Sequence, residues 1–451
     1  MSVFAQRIIE NAADIDRRIA DFSEFRPRYC DILEGYSRLD LKPGSAILLC
    51  APNSAEFLLH WIAILAVGCV PCAAPPSLKA AQIVALQASL NIAAVAGAPA
   101  MTRALNTPRI ATVGSLGVAP TDNVAPAYEP YDVLILTTGT SGAQSACVHT
   151  VDTLAWNATS TNRTLSLTDK DRQLVVLPLF HTYGLVTQSL GTMLGGGELI
   201  IDGPPFNDRR FGDLIEREKI SVCGITPTIA RTLLEKGTRL PNLRSLSIGG
   251  DRFAADDVAR LLAKPFIDEL YITYGLTEAG PRISVLPAHS APADVFDSVG
   301  RPFDGVEVRI EGPDPDGVGQ LLVKTPSACR RKVGENSSGQ PFTADGFLKT
   351  GDMFTQDRDG YLRYVSRRAD IVVRKGEKLN TRSIDKIIEM HPDIGFARTA
   401  EGAESELVSR VWARDGKELD LDAIRLFLKS RLRRHEVPDR IVQQSREVFH
   451  K

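Results

Sequence analysis

Charge of one sign, paired cysteines and long apolar runs are all scarce in these 451 residues. Lys and Arg number 53 against 55 Asp and Glu, a net charge of −2. Nothing in that balance pulls the chain toward nucleic acid or an anionic membrane, and neither is an expected partner. The seven cysteines (Cys30, Cys50, Cys69, Cys72, Cys147, Cys223 and Cys329) are odd in number and scattered, mostly in apolar runs. They read as buried thiols of a cytoplasmic protein rather than a disulfide framework. Cys69 and Cys72 form a C-x-x-C without the second pair or thioredoxin-like context that a zinc or redox site needs. The most apolar window, 57–74, is broken by His60 and Pro71 and is too short for a membrane span. A buried helix over 55–67 and a strand over 69–73, with Gly68 between them, account for it. The N-terminus meets acidic residues early and shows no signal-peptide segment. No internal repeat or low-complexity tract occurs, and no Walker loop or G-x-G-x-x-G opens a helix.

What is present is the material of a folded protein. With 43% hydrophobic and 24% charged residues, the chain is far from disorder. Short apolar runs at 46–50, 133–136, 174–177, 199–201, 221–225 and 270–272 alternate with helical patterns such as 211–219, 227–235 and 256–262. That alternation predicts an α/β fold with parallel-rich sheets. From 297 to 323 the texture turns to Gly, Pro and Asp turns between short strands, a small β-rich unit. Two further strands are expected in 347–365 around the turn 357–360. Beyond the polar segment 366–370, a strand (371–373), a helix (382–390), a strand region (407–413) and a basic helix (421–434) predict a smaller α+β domain. The expected division is 1–365 and 366–451.

Four segments carry chemistry. Thr138, Gly139, Thr140, Ser141 and Gly142 follow a strand directly. Small hydroxyl residues interleaved with glycine let successive backbone N–H groups converge on an anion, although Ser/Thr/Gly turns are also common. Tyr274, Gly275, Leu276, Thr277 and Glu278 lie at a strand end, where ligands of α/β folds bind. Glu278 is a candidate Mg²⁺ ligand there, and Tyr274 a flat face for a base. Thr350, Gly351 and Asp352 form the third segment, and Arg367 with Asp370 the fourth. A carboxylate and a guanidinium together can hold vicinal ribose hydroxyls.

In this order and spacing the segments resemble the adenylate-forming (AMP-binding) superfamily of acyl-CoA synthetases, nonribosomal peptide synthetase adenylation domains and firefly luciferases. The 138–142 loop is similar to its phosphate loop T-S-G-[ST]-T-G, with His149 at the trailing His. Pro178, Leu179, Phe180 and His181 resemble its P-x-[FY]-H segment, and Gly249, Gly250 and Asp251 its adenine strand G-G-[AE]-P. Residues 274–278 repeat Y-G-x-T-E unchanged, and 350–352 repeat T-G-D. Residues 366–370 resemble G-R-x-[DK]-D, with Gly376 following. The likeness runs from about residue 41 to residue 442 and extends to Pro52, Asn53 and Ser54.

The resemblance implies ATP-dependent activation of a carboxylic acid as acyl-AMP, with pyrophosphate released. Transfer to a pantetheine thiol follows, that of CoA or of an acyl carrier protein. It assigns the β- and γ-phosphates to 138–142, Mg²⁺ to Glu278, the α-phosphate to Thr277 and adenine to Tyr274. Ribose falls to Asp352 and Arg367, and the pantetheine tunnel to Gly376. His181 stands where amino-acid-activating relatives carry an Asp, which points to an acyl or aryl acid. It is expected at the acyl pocket, as a substrate contact or as packing. The oligomeric state is open at this stage.

Three departures stand out. The phosphate loop continues with Gln144 and Ser145 in place of Pro-Lys, and Ala369 and Val373 replace the usual hinge and Lys residues. Third, the family's closing Gly-Lys, which bridges carboxylate and α-phosphate, is not reached. Lys451 is either its displaced substitute or unrelated to catalysis. These departures leave open a degenerate relative that binds an acyl-adenylate or nucleotide but adenylates poorly.

Overall fold

The computed structural model describes the chain apart from residues 1–2, 11–17, 21–27, 106, 108, 124, 139–143, 266, 335–340, 375–376, 403–405, 415–416 and 445–451. Two compact units emerge. One comprises 1–309, 322–350 and 356–363; the other comprises 310–321, 351–355 and 364–451.

The first unit holds two eight-stranded sheets. In one, Ala46–Cys50 lies between Val70–Ala74 and Ile92–Gly97, parallel to both. Beyond Val70–Ala74 come Asp132–Thr138 and then Gln144–Thr150, an antiparallel pair, and Arg331–Gly334 closes that edge antiparallel. In the other sheet, Glu198–Ile201, Arg172–Val175, Val222–Ile225, Ser245–Gly249 and Glu269–Gly275 run parallel. Arg282–Pro287 and Arg301–Pro302 continue it antiparallel. The α/β expectation therefore holds, with antiparallel strands at the margins of both sheets.

The apolar window becomes helix Ala55–Ala66. Ser54 caps it by accepting the Phe57 N–H at 3.1 Å, and ten of its side chains are buried. Burial all round explains why it lacks an amphipathic stripe. Helix Pro227–Lys236 starts on the Thr226 cap with proline in its first turn and ends at Gly237, whose φ of +64° suits a residue without Cβ. One segment escaped the sequence reading: Tyr183–Leu190 is a π-helix, an uncommon conformation concentrated at functional sites. Six of the seven cysteines are buried and all are free; Cys69 and Cys72 are core thiols. No helix among the described residues is long and apolar enough to cross a membrane.

In the second unit a hairpin, Ile371–Arg374 with Glu377–Asn380, leads into helix Thr381–Glu389. A three-stranded sheet follows, Ile394–Glu401, Leu407–Ala413 and Arg440–Gln443. Strands Ile394–Glu401 and Arg440–Gln443 were not foreseen, and the basic helix is shorter than expected. It ends at Lys429, because Leu432 folds back into the small core and Glu436 accepts the Arg433 N–H at 2.8 Å.

Asp385 is fully buried on helix Thr381–Glu389, and the Thr399 N–H donates to its Oδ1 at 2.6 Å. Burial pushes its carboxyl up to about 6. A raised folded-state value means the stabilising contribution is complete below the ordinary carboxyl range and is lost as pH rises through about 6. The loss is on the order of 3 kcal/mol. Asp385→Asn is expected to flatten the decline in this unit's melting temperature between pH 4 and 7. An unchanged decline would remove Asp385 as its source.

Candidate active site

Parallel strands open their carboxyl ends toward ligands, and two expected motifs sit at such ends side by side. Gly249 ends strand Ser245–Gly249 and pairs in register with Thr273 of strand Glu269–Gly275, next to Tyr274. A Cβ on Gly249 would come within 2.3 Å of Thr273 Oγ1, and one on Gly275 within 2.2 Å of the Pro281 carbonyl. Both positions require glycine on space alone. Gly250 has a φ of +96°, and Asp251 is exposed, accepting the Arg252 N–H at 2.7 Å. Tyr274 is half-buried.

The expected phosphate loop belongs to the other sheet. Thr138 and Gln144 are register partners at the ends of their strands, while Gly139, Thr140, Ser141 and Gly142 lie outside the described residues. Ser145, where the family pattern has lysine, is buried and shares a hydrogen bond with Thr137 Oγ1 at 2.7 Å. It serves the hairpin itself.

His149, on strand Gln144–Thr150, ties that strand to the Thr277–Glu278 segment. Its ring is fully buried, and burial pushes its pKa down to about 4, so it stays neutral. Its Nε2 lies 2.9 Å from the Thr277 carbonyl, which fixes Nε2 as the donor. The Cys329 N–H donates to the Glu278 carbonyl at 2.8 Å, clamping the next peptide. Thr277 and Glu278 are thus anchored through their backbone, leaving both side chains for other partners.

Sequence reading missed the residue that meets the Glu278 carboxylate. Lys332 Nζ donates to Glu278 Oε1 at 2.8 Å, with both side chains mostly covered. Burial works against the ammonium, but the hydrogen bond and charge of Glu278 outweigh it and hold its pKa above the ordinary lysine value. Lys332 arrives because Arg331–Gly334 pairs with Gln144–Thr150, opposite Cys147 and two residues along from Ser145. Positive charge absent at position 145 is present beside it. No local signal marks this lysine, since the pairing joins segments far apart in sequence.

Among the described residues no three His, Cys, Asp or Glu side chains cluster as a metal cage. Glu278 is a single partly exposed carboxylate. That suits Mg²⁺, which keeps waters and substrate phosphates as its remaining ligands. Such an ion would have to share the carboxylate with Lys332.

His181 is exposed, and its ring packs on Phe180 at 4.6 Å. Two residues on, the Tyr183 hydroxyl donates to the Ser247 carbonyl at 3.0 Å, beside the adenine-motif strand. In the second unit, Asp352 is buried and pairs with Arg367 Nε at 3.3 Å. Gly351 before it has a φ of +73°. Gly376 and Lys451 lie outside the described residues.

The sequence profile of the AMP-binding enzyme family matches residues 15–331. A feruloyl-CoA synthase of an Amycolatopsis species is 28% identical over 324 residues, covering 68% of this chain and 64% of that protein. An indoleacetate–CoA ligase of Aromatoleum aromaticum is 27% identical over 326 residues, covering 69% and 62%. The chain thus spans less than two thirds of the length of these relatives. The o-succinylbenzoate CoA synthetase of Bacillus subtilis, solved with its acyl-adenylate intermediate, superposes with a TM-score of 0.78 over 98% of this chain and 94% of that one. At 20% identity that likeness is one of fold. With two of its motifs side by side at strand ends and the profile matched over more than half its length, this chain belongs to the AMP-binding enzyme family, the adenylate-forming superfamily.

Proposed function

We propose that this protein activates an acyl or aryl carboxylic acid with ATP and passes the acyl group to a pantetheine thiol, as an acid–thiol ligase. A substrate carboxylate oxygen attacks the α-phosphorus of ATP, the bond from that phosphorus to the α,β-bridging oxygen breaks, and pyrophosphate leaves. A thiol sulfur then attacks the acyl carbonyl, loses its proton, and AMP departs. The observation that carries this reading is the tie through His149, which holds Thr277 and Glu278 against the strand following the glycine-rich loop. Adenylation needs two anions positioned and the developing charge neutralised, and a preorganised hydroxyl, carboxylate and ammonium suit that task. Glu278 would hold Mg²⁺, which supplies charge neutralisation at the phosphates when bound. Thr138 to Gly142 would take the outer phosphates, and Thr277 the α-phosphate. Gly249 to Asp251 and Tyr274 would take adenine, and Asp352 with Arg367 the ribose.

His181, with no acid at its position, supports an acid lacking an α-ammonium group, which would be costly to bury unpaired. CoA and a holo-carrier protein are the two acceptor candidates. Gly376 would belong to the thiol's approach, and Lys451 is either the displaced substitute for the closing lysine or unrelated to catalysis. A domain boundary near residue 365 and a cytoplasmic location, in keeping with the buried free thiols, complete the reading. Acid-dependent pyrophosphate release across a panel of acids tests it; no release from any acid would sink it. Asp352→Asn is expected to raise the KM for ATP about 10–100-fold, the loss of charge-assisted hydrogen bonds to ribose. An unchanged KM would move ribose binding elsewhere.

A further inference from the structure

Arg282 is a buried cation with no counter-ion among the described residues. Only 4% of it is exposed. Its backbone is held on both sides by Asn157, whose Oδ1 accepts the Arg282 N–H at 3.1 Å and whose Nδ2 donates to the Arg282 carbonyl at 2.8 Å. The guanidinium reaches across strand Glu269–Gly275 to Ser247, donating from Nη2 to Oγ at 3.0 Å, and lies 5.1 Å from the Tyr183 ring centroid. Nη1 has no hydrogen-bond partner among the described residues. Burial pushes the group's pKa below the ordinary arginine value, and only Tyr183 acts against that shift. Arginine nevertheless stays charged in proteins. An uncompensated buried charge is strongly unfavourable, and one hydroxyl with one aromatic face offsets only part of that cost.

The surroundings say where the missing anion belongs. Tyr183 is half-buried, two residues past His181. Its ring lies over two glycines: a Cβ on Gly224 would come 3.0 Å from Tyr183 Cε2, and one on Gly249 would come 3.4 Å from Cε1. Arg282, Ser247, Tyr183 and the two glycines form one largely buried cluster, adjoining His181 and the Gly249 strand end proposed for the acid and adenine. The Glu278 carboxylate pairs with Lys332 of the other sheet, and no ion pair links it to Arg282 among the described residues.

We propose that Arg282 pairs with a second, non-reacting carboxylate of the substrate, so that the acid activated here is a dicarboxylic acid. This rests on the acid-activation reading above and names its substrate class. Matched pairs of acids test it: hexanoate against adipate, and cinnamate against 4-carboxycinnamate. Wild type is expected to favour the dicarboxylate of each pair in kcat/KM by at least about tenfold, since a site built for a polar group rejects the analogue lacking it. Arg282→Met should lose about 10–100-fold on the dicarboxylates and reverse the preference, while Arg282→Lys retains it in part. A preference for monocarboxylates in wild type, or a ratio unchanged by Arg282→Met, overturns the proposal even if activity or stability falls. Calorimetric titration of the same acids separates the two readings. Should no acid release pyrophosphate, the ligase reading fails by itself. Adipate or 4-carboxycinnamate binding that Arg282→Met and Arg282→Lys weaken in graded order then supports the arginine's role. Absent or arginine-independent binding overturns it.

Discussion

Glu278→Gln is expected to lower acid-dependent pyrophosphate release by about 10²–10³-fold, the scale of removing one preorganised electrostatic contact from a transition state. Glutamine keeps the length of the side chain and an acceptor oxygen for Lys332, so shape and most packing survive. What goes is the negative charge that would hold Mg²⁺ and balance the Lys332 ammonium. The backbone anchors through His149 and Cys329 are untouched, so the loop should stay in place. The loss should therefore fall on kcat, with the melting temperature little changed. Lys332→Met breaks the same ion pair from the other side and leaves the carboxylate free. If Glu278 matters through its own charge, Lys332→Met costs at least about tenfold less in kcat. Equal losses from the two variants would assign the effect to the broken pair instead.

Gly300→Ala is expected to be the most damaging conservative change in the first unit, at about 3–5 kcal/mol from combined left-handed strain and overpacking. Gly300 sits just before the edge strand Arg301–Pro302 with a φ of +78°. An added Cβ would lie 1.9 Å from the Val285 carbonyl oxygen and 2.2 Å from the Leu286 N, both backbone atoms of strand Arg282–Pro287. No rotamer relieves a clash with backbone, so the strand itself must move. That strand carries Arg282 and closes the sheet beyond Tyr274. Chemical denaturation monitored on the first unit checks the magnitude, and a loss below about 1 kcal/mol would show that the edge yields freely. Gly250→Ala is a useful contrast. Its φ is also positive at +96°, but a Cβ there meets nothing within 4 Å, so strain alone remains.

Much of this protein was legible before its fold was known, and the reason is local. Strand Ala46–Cys50 is apolar and buried on both faces, so its pattern states its place directly. Tyr274–Glu278, Gly249–Gly250 and Thr350–Asp352 are short runs whose chemistry lies within a few residues, where backbone geometry fixes their relation. Element ends were less legible, because caps decide them: Asn207 starts helix Asp208–Arg217 before its first apolar residue. The π-helix Tyr183–Leu190 had no periodicity to announce it.

The rest depended on tertiary structure, for one physical reason: charges and hydrogen bonds act over a few ångströms in space, without regard to sequence distance. Sequence composition determined a neutral, apolar-rich α/β chain with free thiols, and its motifs determined the family. Only the pairing of Arg331–Gly334 with Gln144–Thr150 put Lys332 on Glu278, supplying a cation next to the position where Ser145 replaces one. Only the packing of His149 against the Thr277 carbonyl tied strand Gln144–Thr150 to the Thr277–Glu278 segment, and only burial showed that Arg282 has no anion beside it among the described residues.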